Sequence, residues 1–407
     1  MLLYWIWFAE LREISLLHKR RILEQLGDPE EIYKSSDWVY EKLQIPEKER
    51  HALGEKNLQN AESILRDCLR KDIKLLPITD IAYPPRLKSI TDAPIVLYYK
   101  GILPAWETRP FIGIVGTREA SAYGLQISRL MGGQIAAGGG WVVSGCAEGG
   151  DAAAMEGALD TGHPIVGILG GGVDVIYPAC NRKLFARIIE ENGCLISEYP
   201  PQTKAYGWHF PVRNRLISGI CNGCLIVEAP KKSGALITAR HALEQGRDVF
   251  VVPGNINSET CKGSNALLQD GAIPVFCGWD VLREYGVLYP GKLDEKKAGA
   301  VRVQENSPAK VAENTITPVI STVKNRKGAK KPIDNGDISL YSELDTNTLS
   351  LDADEQAIYD LLTREPQEPA DLIAKLNMPS NKVLSTLTLL SVKGVVRKHP
   401  GGRVSRK

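Results

Sequence analysis

Between residues 111 and 276 one pattern recurs seven times: a short apolar run ending in small residues, then a stretch with helical spacing. The runs are FIGIVG, WVVSG, PIVGILG, CLISEY, CLIVEA, DVFVVPG and IPVF. Apolar runs of this length suit strands buried on both faces, the condition of a parallel sheet covered by helices. Strands alternating with helices specify parallel crossover units. Residues 76–290 are therefore expected to form a Rossmann-like, doubly wound, mostly parallel α/β sheet. Sheets of this kind bind ligands at the carboxyl ends of their strands.

The flanking regions differ. Residues 1–75 place Leu16, Leu17, Arg20, Ile22, Leu23 and Leu26 at helical spacing, with a stop signal at Gly27-Asp28-Pro29, and predict a small helical domain. Its LLHKRRILEQLG fits either a helix-hairpin-helix segment touching DNA phosphates or an ordinary amphipathic hairpin. Residues 291–350 lose the strand rhythm and are rich in Lys, Asn, Ser, Thr and Pro, with the basic run KNRKGAKK at 324–331, and predict a flexible linker. Residues 351–407 show three helical segments and two short β-like runs, Val395-Val396 and Arg403-Val404, around Pro400-Gly401-Gly402. That is the outline of a winged helix.

The chain carries 50 Lys and Arg against 48 Asp and Glu, a formal net charge of +2, so nucleic-acid affinity has to come from a local basic patch. Eight scattered cysteines do not form a secreted disulfide framework, and a reducing cytoplasm is expected. The start, MLLYWIWFAE, has no basic region and meets Glu10, Arg12 and Glu13 well before the roughly 20 apolar residues of a membrane span. Neither a signal peptide nor a membrane association is expected.

The strand ends carry Gly116-Thr117-Arg118, Ser144-Gly145, Gly170-Gly171-Gly172, Ser197-Glu198, Glu228-Ala229 and Pro253-Gly254. Glycine lets a ligand approach the backbone, a helix N-terminus offers N–H groups to an anion, and Arg118 can grip phosphate with two donors. Phosphate is thus the expected ligand; the competing reading is that the turns are structural. The dinucleotide fingerprint is missing after the first strand, and no phosphate loop, zinc-protease helix, serine elbow or metal-spaced cluster is present in the sequence. No metal and no cofactor are expected. Cys221 and Cys224 read as a turn before a strand rather than half a zinc site. Asp151 and Glu198 read as capping or hydrogen-bonding groups before acid/base groups.

Two further segments bear on binding. In WHFPVRNRLISG, 208–219, Trp208 and Phe210 interleave with His209, Arg213 and Arg215. That mixture serves either to stack bases and neutralise a backbone, or as a core aromatic beside a salt-bridged arginine pair. In KKSGALITARHALEQGR, 231–247, Lys231, Lys232, Ser233 and Gly234 precede a helix carrying Thr238 and Arg240, and its start reads as a second anion site.

Taken in order, IVGTREAS, VVSGCAEGGDAAAMEGAL, ILGGGVDVIYP, LISEYP, FPVRNRLISG, IVEAPKKSGALITAR and VPG resemble the DNA processing protein A family (DprA, also called Smf) from about residue 76 to 276. The resemblance implies a protein without catalytic activity that binds single-stranded DNA cooperatively as a homodimer of the α/β domain and loads the recombinase RecA during natural transformation. It assigns Gly116, Thr117 and Arg118 to a phosphate motif and Phe210 to base stacking. Arg213 and Arg215 match the pair of the F-P-x-R-N-R segment, and Ser144, Gly145, Ser233 and Gly234 fall in pocket-lining turns. Lys232 and Arg240 join the DNA-binding set. Three departures point to a less basic pocket. Glu148 stands where relatives usually carry arginine, Met155 where they commonly carry histidine, and Gly207 and Trp208 stand just before His209 where many have lysine, Lys204 being the nearest.

Two other readings compete. Similar sheets occur in nucleotide phosphoribohydrolases, with Glu148 or Glu198 as the candidate acid/base group. Alternatively the winged helix acts on duplex DNA or on a protein, through a helix at about 380–393 whose basic residues are Lys382 and Lys393.

Overall fold

A computed structural model of the chain describes residues 2–302 and, within 353–406, all but 366, 377, 379, 393, 394 and 399–402. The chain divides into two compact units, Met1–Val311 and Ala312–Lys407.

The first unit holds a nine-stranded sheet: β1 (Lys74–Pro77), β2 (Val96–Gly101), β3 (Phe111–Val115), β4 (Trp141–Ser144), β5 (Val166–Leu169), β6 (Cys194–Ser197), β7 (Gly223–Ile226), β8 (Asp248–Val251) and β9 (Ile273–Pro274). The strand order is β1-β2-β6-β5-β4-β3-β7-β8-β9. The seven apolar runs become β3 to β9, and every pairing among them is parallel. Every residue of β3, β5, β6 and β7 is buried, which is why these strands read as unbroken apolar runs. From β3 the chain winds outward through β4, β5 and β6, then returns to place β7 against the other side of β3. The order reverses between β3 and β7, and that crevice is where doubly wound sheets usually hold a ligand.

β1 and β2 lie outside the sequence expectation. β1 pairs antiparallel with β2, and β2 antiparallel with β6, the latter across nearly a hundred residues of chain that no local pattern announces. The expected boundary at residue 75 falls inside β1. The N-terminal helices have no separate core: Trp5, Ile6, Trp7 and Phe8 belong to the same buried cluster as Tyr98 and Phe111. The basic residues of the Leu16–Leu26 helix serve that packing. Lys19 Nζ donates to the Ala9 carbonyl at 2.6 Å, and Arg20 donates to the Ile90 carbonyl at 2.6 Å. Burial pulls the Lys19 ammonium down to about 8. Two cations of LLHKRRILEQLG are thus engaged with internal carbonyls, as in the amphipathic-hairpin reading, while Arg21 is exposed.

The linker expectation also changes at its start. Asp294 caps the helix Glu295–Ala300, its backbone N–H donates to Gly138 O at 3.0 Å, and Gln134 Nε2 donates to Val301 O at 3.2 Å. Leu293 and Ala298 supply apolar contacts that composition alone hides. The basic run 324–331 lies outside the described residues.

The second unit contains helices Ala353–Leu361, Pro369–Lys375 and Ser380–Val392 and an antiparallel strand pair, Val396–Lys398 with Val404–Arg406. Ile358, Leu362, Leu372, Val383, Leu387, Leu390, Val396 and Val404 form its core, the arrangement of a winged helix. Lys382 pairs with Asp354 at 2.6 Å, while Lys393 and Pro400-Gly401-Gly402 lie outside the described residues. Among the described residues no helix is long and apolar enough to cross a membrane.

Candidate functional site

The turn after β3 is built from inside. Thr117 is buried; its N–H donates to Glu228 O at 2.8 Å and its carbonyl accepts from Gly150 N at 3.1 Å. Gly116 N donates to Asp151 Oδ1 at 3.2 Å. With both ends pinned, the turn projects Arg118 into solvent.

Beneath it lies a buried polar lattice. Asp151, in the first turn of the Gly150–Leu159 helix, accepts from Gly116 N and from Gly145 N at 3.1 Å. Arg213 on the His209–Ile220 helix is 3 % exposed, donates to Gly145 O at 2.7 Å and to Ile168 O, and shares charge with Asp151. Burial pushes the Asp151 carboxyl above its usual range, while Arg213 and the backbone donors pull it back. Gly145 is glycine because a methyl group there would lie 2.6 Å from both Arg213 Nη2 and the Asp151 carboxylate. Ser144 is fully buried and donates its hydroxyl to Ile114 O at 2.6 Å.

Arg215 is also interior, 5 % exposed. It meets Asp92 at 2.9 Å and Glu198 at 2.6 Å. Residues two apart on a helix face opposite sides, so the two motif arginines enter different parts of the interior. The sequence placed both among the DNA-binding residues; the structure places both inside, Arg215 salt-bridged as in the alternative reading and Arg213 hydrogen-bonded to carbonyls. Ser144 and Gly145 likewise support the site from below. Glu198 Oε2 pairs with Arg215, while its Oε1 is buried without a hydrogen-bond partner.

What remains at the surface is a shelf. Arg118 stands 4.9 Å from the centroid of the Phe210 ring, a cation–π distance, and Phe210 tilts against Tyr177 at 5.4 Å. Phe210 is half-buried, seated on Gly170, where a methyl group would lie 3.0 Å from its ring. The glycines after β5 thus face the protein itself, Gly170 the Phe210 ring and Gly171 and Gly172 chiefly the backbone of residues 200–205. With Gly145, Ala147, Glu148 and Pro178 these residues line a shallow concavity of about 40 Å³. Glu148 sits exposed at its rim and accepts from the Cys180 thiol at 3.2 Å. Met155, the second departure, is fully buried in the Gly150–Leu159 helix.

At the β3/β7 crevice the anion seat is already filled. The buried Glu228 carboxylate accepts from Ser121 N and Ser121 Oγ, both at 2.9 Å, and from Thr260 Oγ1. Sequence reasoning noted Glu228 only as a strand-end residue; its position beside a helix start depends on the crossover. The second expected anion turn is more open. Ser233 caps the Gly234–Glu244 helix by accepting from Ala235 N at 3.3 Å, Gly234 O accepts from Asn214 Nδ2 at 3.1 Å, and Lys232 is exposed. Arg240 is exposed six residues into that helix, about 9 Å along its axis from Gly234. The structure therefore joins Arg118 and Phe210 directly and leaves Lys232, Ser233, Gly234 and Arg240 as a separate element.

Cys221 and Cys224 are free and buried, and burial raises both thiols, Cys224 to about 12. Among the described residues no group of His, Cys, Asp and Glu has the arrangement of a metal site.

Comparison with known proteins follows this geometry. Residues 74–286 match the family model described as DNA recombination-mediator protein A, and residues 342–402 match that of the DprA winged helix domain. DNA processing protein DprA of Bacillus subtilis (strain 168) is 41% identical over 212 residues, covering 52% of this chain and 71% of that protein. Protein Smf of Synechocystis sp. is 28% identical over 414 residues, 99% of this chain and 98% of its own. The X-ray structure of DNA processing protein A from Streptococcus pneumoniae superposes with a TM-score of 0.62 at 31% identity, over 70% of this chain and 98% of that one. The chain belongs to the DNA recombination-mediator protein A family.

Proposed function

We propose that this protein binds single-stranded DNA in the cytoplasm and hands it to the RecA recombinase during natural transformation, acting as a homodimer and without catalysis. The observation that carries the DNA reading is the pairing of an exposed arginine with a half-exposed aromatic ring, Arg118 over Phe210 at 4.9 Å. A guanidinium neutralises phosphate and an aromatic face stacks on a base; duplex DNA hides base faces, so the pair favours unpaired strands. Lys232 with the open helix start at Ser233-Gly234 offers a second phosphate contact, and Arg240 a third further along the helix. The RecA step, the dimer and the link to transformation rest on the family resemblance.

What speaks for binding over catalysis is the fate of the carboxylates and the shape of the surface. Asp151 accepts from Gly116 N and Gly145 N, one oxygen of Glu198 pairs with Arg215, and the concavity at Arg118 and Phe210, about 40 Å³, is far below the roughly 300–1,000 Å³ of small-molecule sites. The test is a mobility-shift comparison of the full chain on single-stranded and duplex oligonucleotides. Tighter binding of the single strand is expected; equal or tighter duplex binding overturns the proposal. Release of free base from AMP, abolished by Glu148→Gln, moves support to an enzyme. Unchanged RecA filament formation on coated strands removes the mediator role while leaving DNA binding intact.

A further inference from the structure

We infer that Tyr206 and Trp208 form a second base-stacking platform, which takes an unpaired base of the same strand that Phe210 engages. The inference rests on the single-strand reading above and extends it to residues outside the F-P-x-R-N-R segment.

Trp208 is 63% exposed and Tyr206 51% exposed, both large aromatic rings on the surface beside the shelf. Their planes lie within 7° of parallel, with centroids 6.4 Å apart. His209 stands edge-on to both, at 4.0 Å from Trp208 and 5.4 Å from Tyr206, and stacks on Tyr199 at 4.0 Å. His209 is itself buried, with Nδ1 2.8 Å from Gly170 O, so it anchors the exposed pair.

The loop that carries the rings is pinned. Gly172 N donates to Thr203 O at 2.9 Å, Gln202 N to Asp174 Oδ1 at 2.8 Å and His209 N to Tyr206 O at 3.0 Å. Aromatic faces held in place before binding lose little freedom when a base settles on them.

Two features select a nucleic-acid strand as the occupant. One is continuity with the shelf: Phe210 and His209 approach Gly170 together, 3.0 and 3.6 Å from the position a Cβ would take there. The other is charge. Lys204 is exposed two residues before Tyr206, and the largely exposed Arg12 acts electrostatically on His209 and Tyr199. Flat apolar faces flanked by cations suit bases strung on phosphates.

The test measures equilibrium binding of the full chain to an oligo-dT and to an abasic oligonucleotide of equal length. Trp208→Ala is expected to weaken oligo-dT binding roughly 5- to 150-fold and leave abasic binding unchanged, with Trp208→Phe restoring most of the loss. Tyr206→Ala is expected to act in the same direction, and thermal melting should be unchanged in each variant because both rings are exposed. If wild type binds and Phe210→Ala weakens it while Trp208→Ala and Tyr206→Ala do not, the platform is overturned and the single-strand reading stands. If wild type binds neither oligonucleotide better than duplex, the reading fails and the platform with it. A Trp208→Ala protein that changes oligomeric state at unaltered DNA affinity assigns the surface to a second copy and overturns the inference.

Discussion

The carboxyl edge of the sheet has two anion-attracting regions, and they have opposite fates. At the crevice between β3 and β7, where open α/β sheets usually seat a phosphate, the chain inserts its own Glu228 and consumes the donors of Ser121 and Thr260. Over β3, β4 and β5 the polar lattice of Asp151 and Arg213 is equally satisfied, yet it holds up a surface on which Arg118 and Phe210 face outward. On the proposed function, a fold associated with nucleotide pockets becomes a platform for a strand: Glu228 fills the crevice, and the groups proposed to bind lie at the rim.

This contrast makes the buried arginine more important for folding than for binding. Arg213→Ala should strand the buried Gly145 and Ile168 carbonyls and remove the cation that offsets the burial of Asp151, costing about 2–6 kcal/mol of stability at roughly 1–3 for each stranded acceptor, read by chemical denaturation. A folded Arg213→Ala protein of near wild-type stability and sharply reduced DNA affinity would erase the distinction between lattice and shelf.

The plugged crevice is tested next. Glu228→Ala should leave Ser121 N and Thr260 Oγ1 without their partner and cost about 1–3 kcal/mol. If the carboxylate stands in the phosphate position, inorganic phosphate should raise the melting temperature of this variant and not that of wild type. Equal responses would show that Glu228 is an ordinary loop tether.

On the shelf, Phe210→Ala should weaken single-strand binding by about 1–3 kcal/mol with the salt dependence nearly unchanged, since a stacking partner is lost and a phosphate contact is not. A parallel loss of stability would place Phe210 with the lattice, because its ring also rests on Gly170.

The strand pattern made the sheet readable: seven apolar runs, buried in all but the edge strand β9, announced β3 to β9, and FPVRNR marked the helix that supports the site. Other features depend on contacts distant in sequence. β2 enters the sheet by antiparallel pairing with β6 and carries β1 on its other side, and Ala298 and Leu293 of the expected linker pack at the end of a helix formed more than 150 residues earlier. The arginines illustrate the same limit. The sequence shows Arg118 at a strand end and Arg213 and Arg215 among aromatics of one segment, but exposure decides their work, and for the last two it follows from which helix face meets the sheet. Glycine misleads similarly: at Gly145 and Gly170 the missing side chain makes room for Arg213 and Phe210 rather than for a ligand.

The smallest effect is also the most direct probe of the shelf. Affinity for a single-stranded oligonucleotide should be measured across a salt series for wild type and Arg118→Ala, a substitution at an exposed position that should leave the melting temperature unchanged. Loss of one phosphate contact is expected to weaken binding and to flatten the plot of log affinity against log salt by roughly 0.7. A folded Arg118→Ala protein with wild-type affinity and wild-type slope would contradict the account, leaving the turn after β3 as structure and the shelf without its phosphate contact.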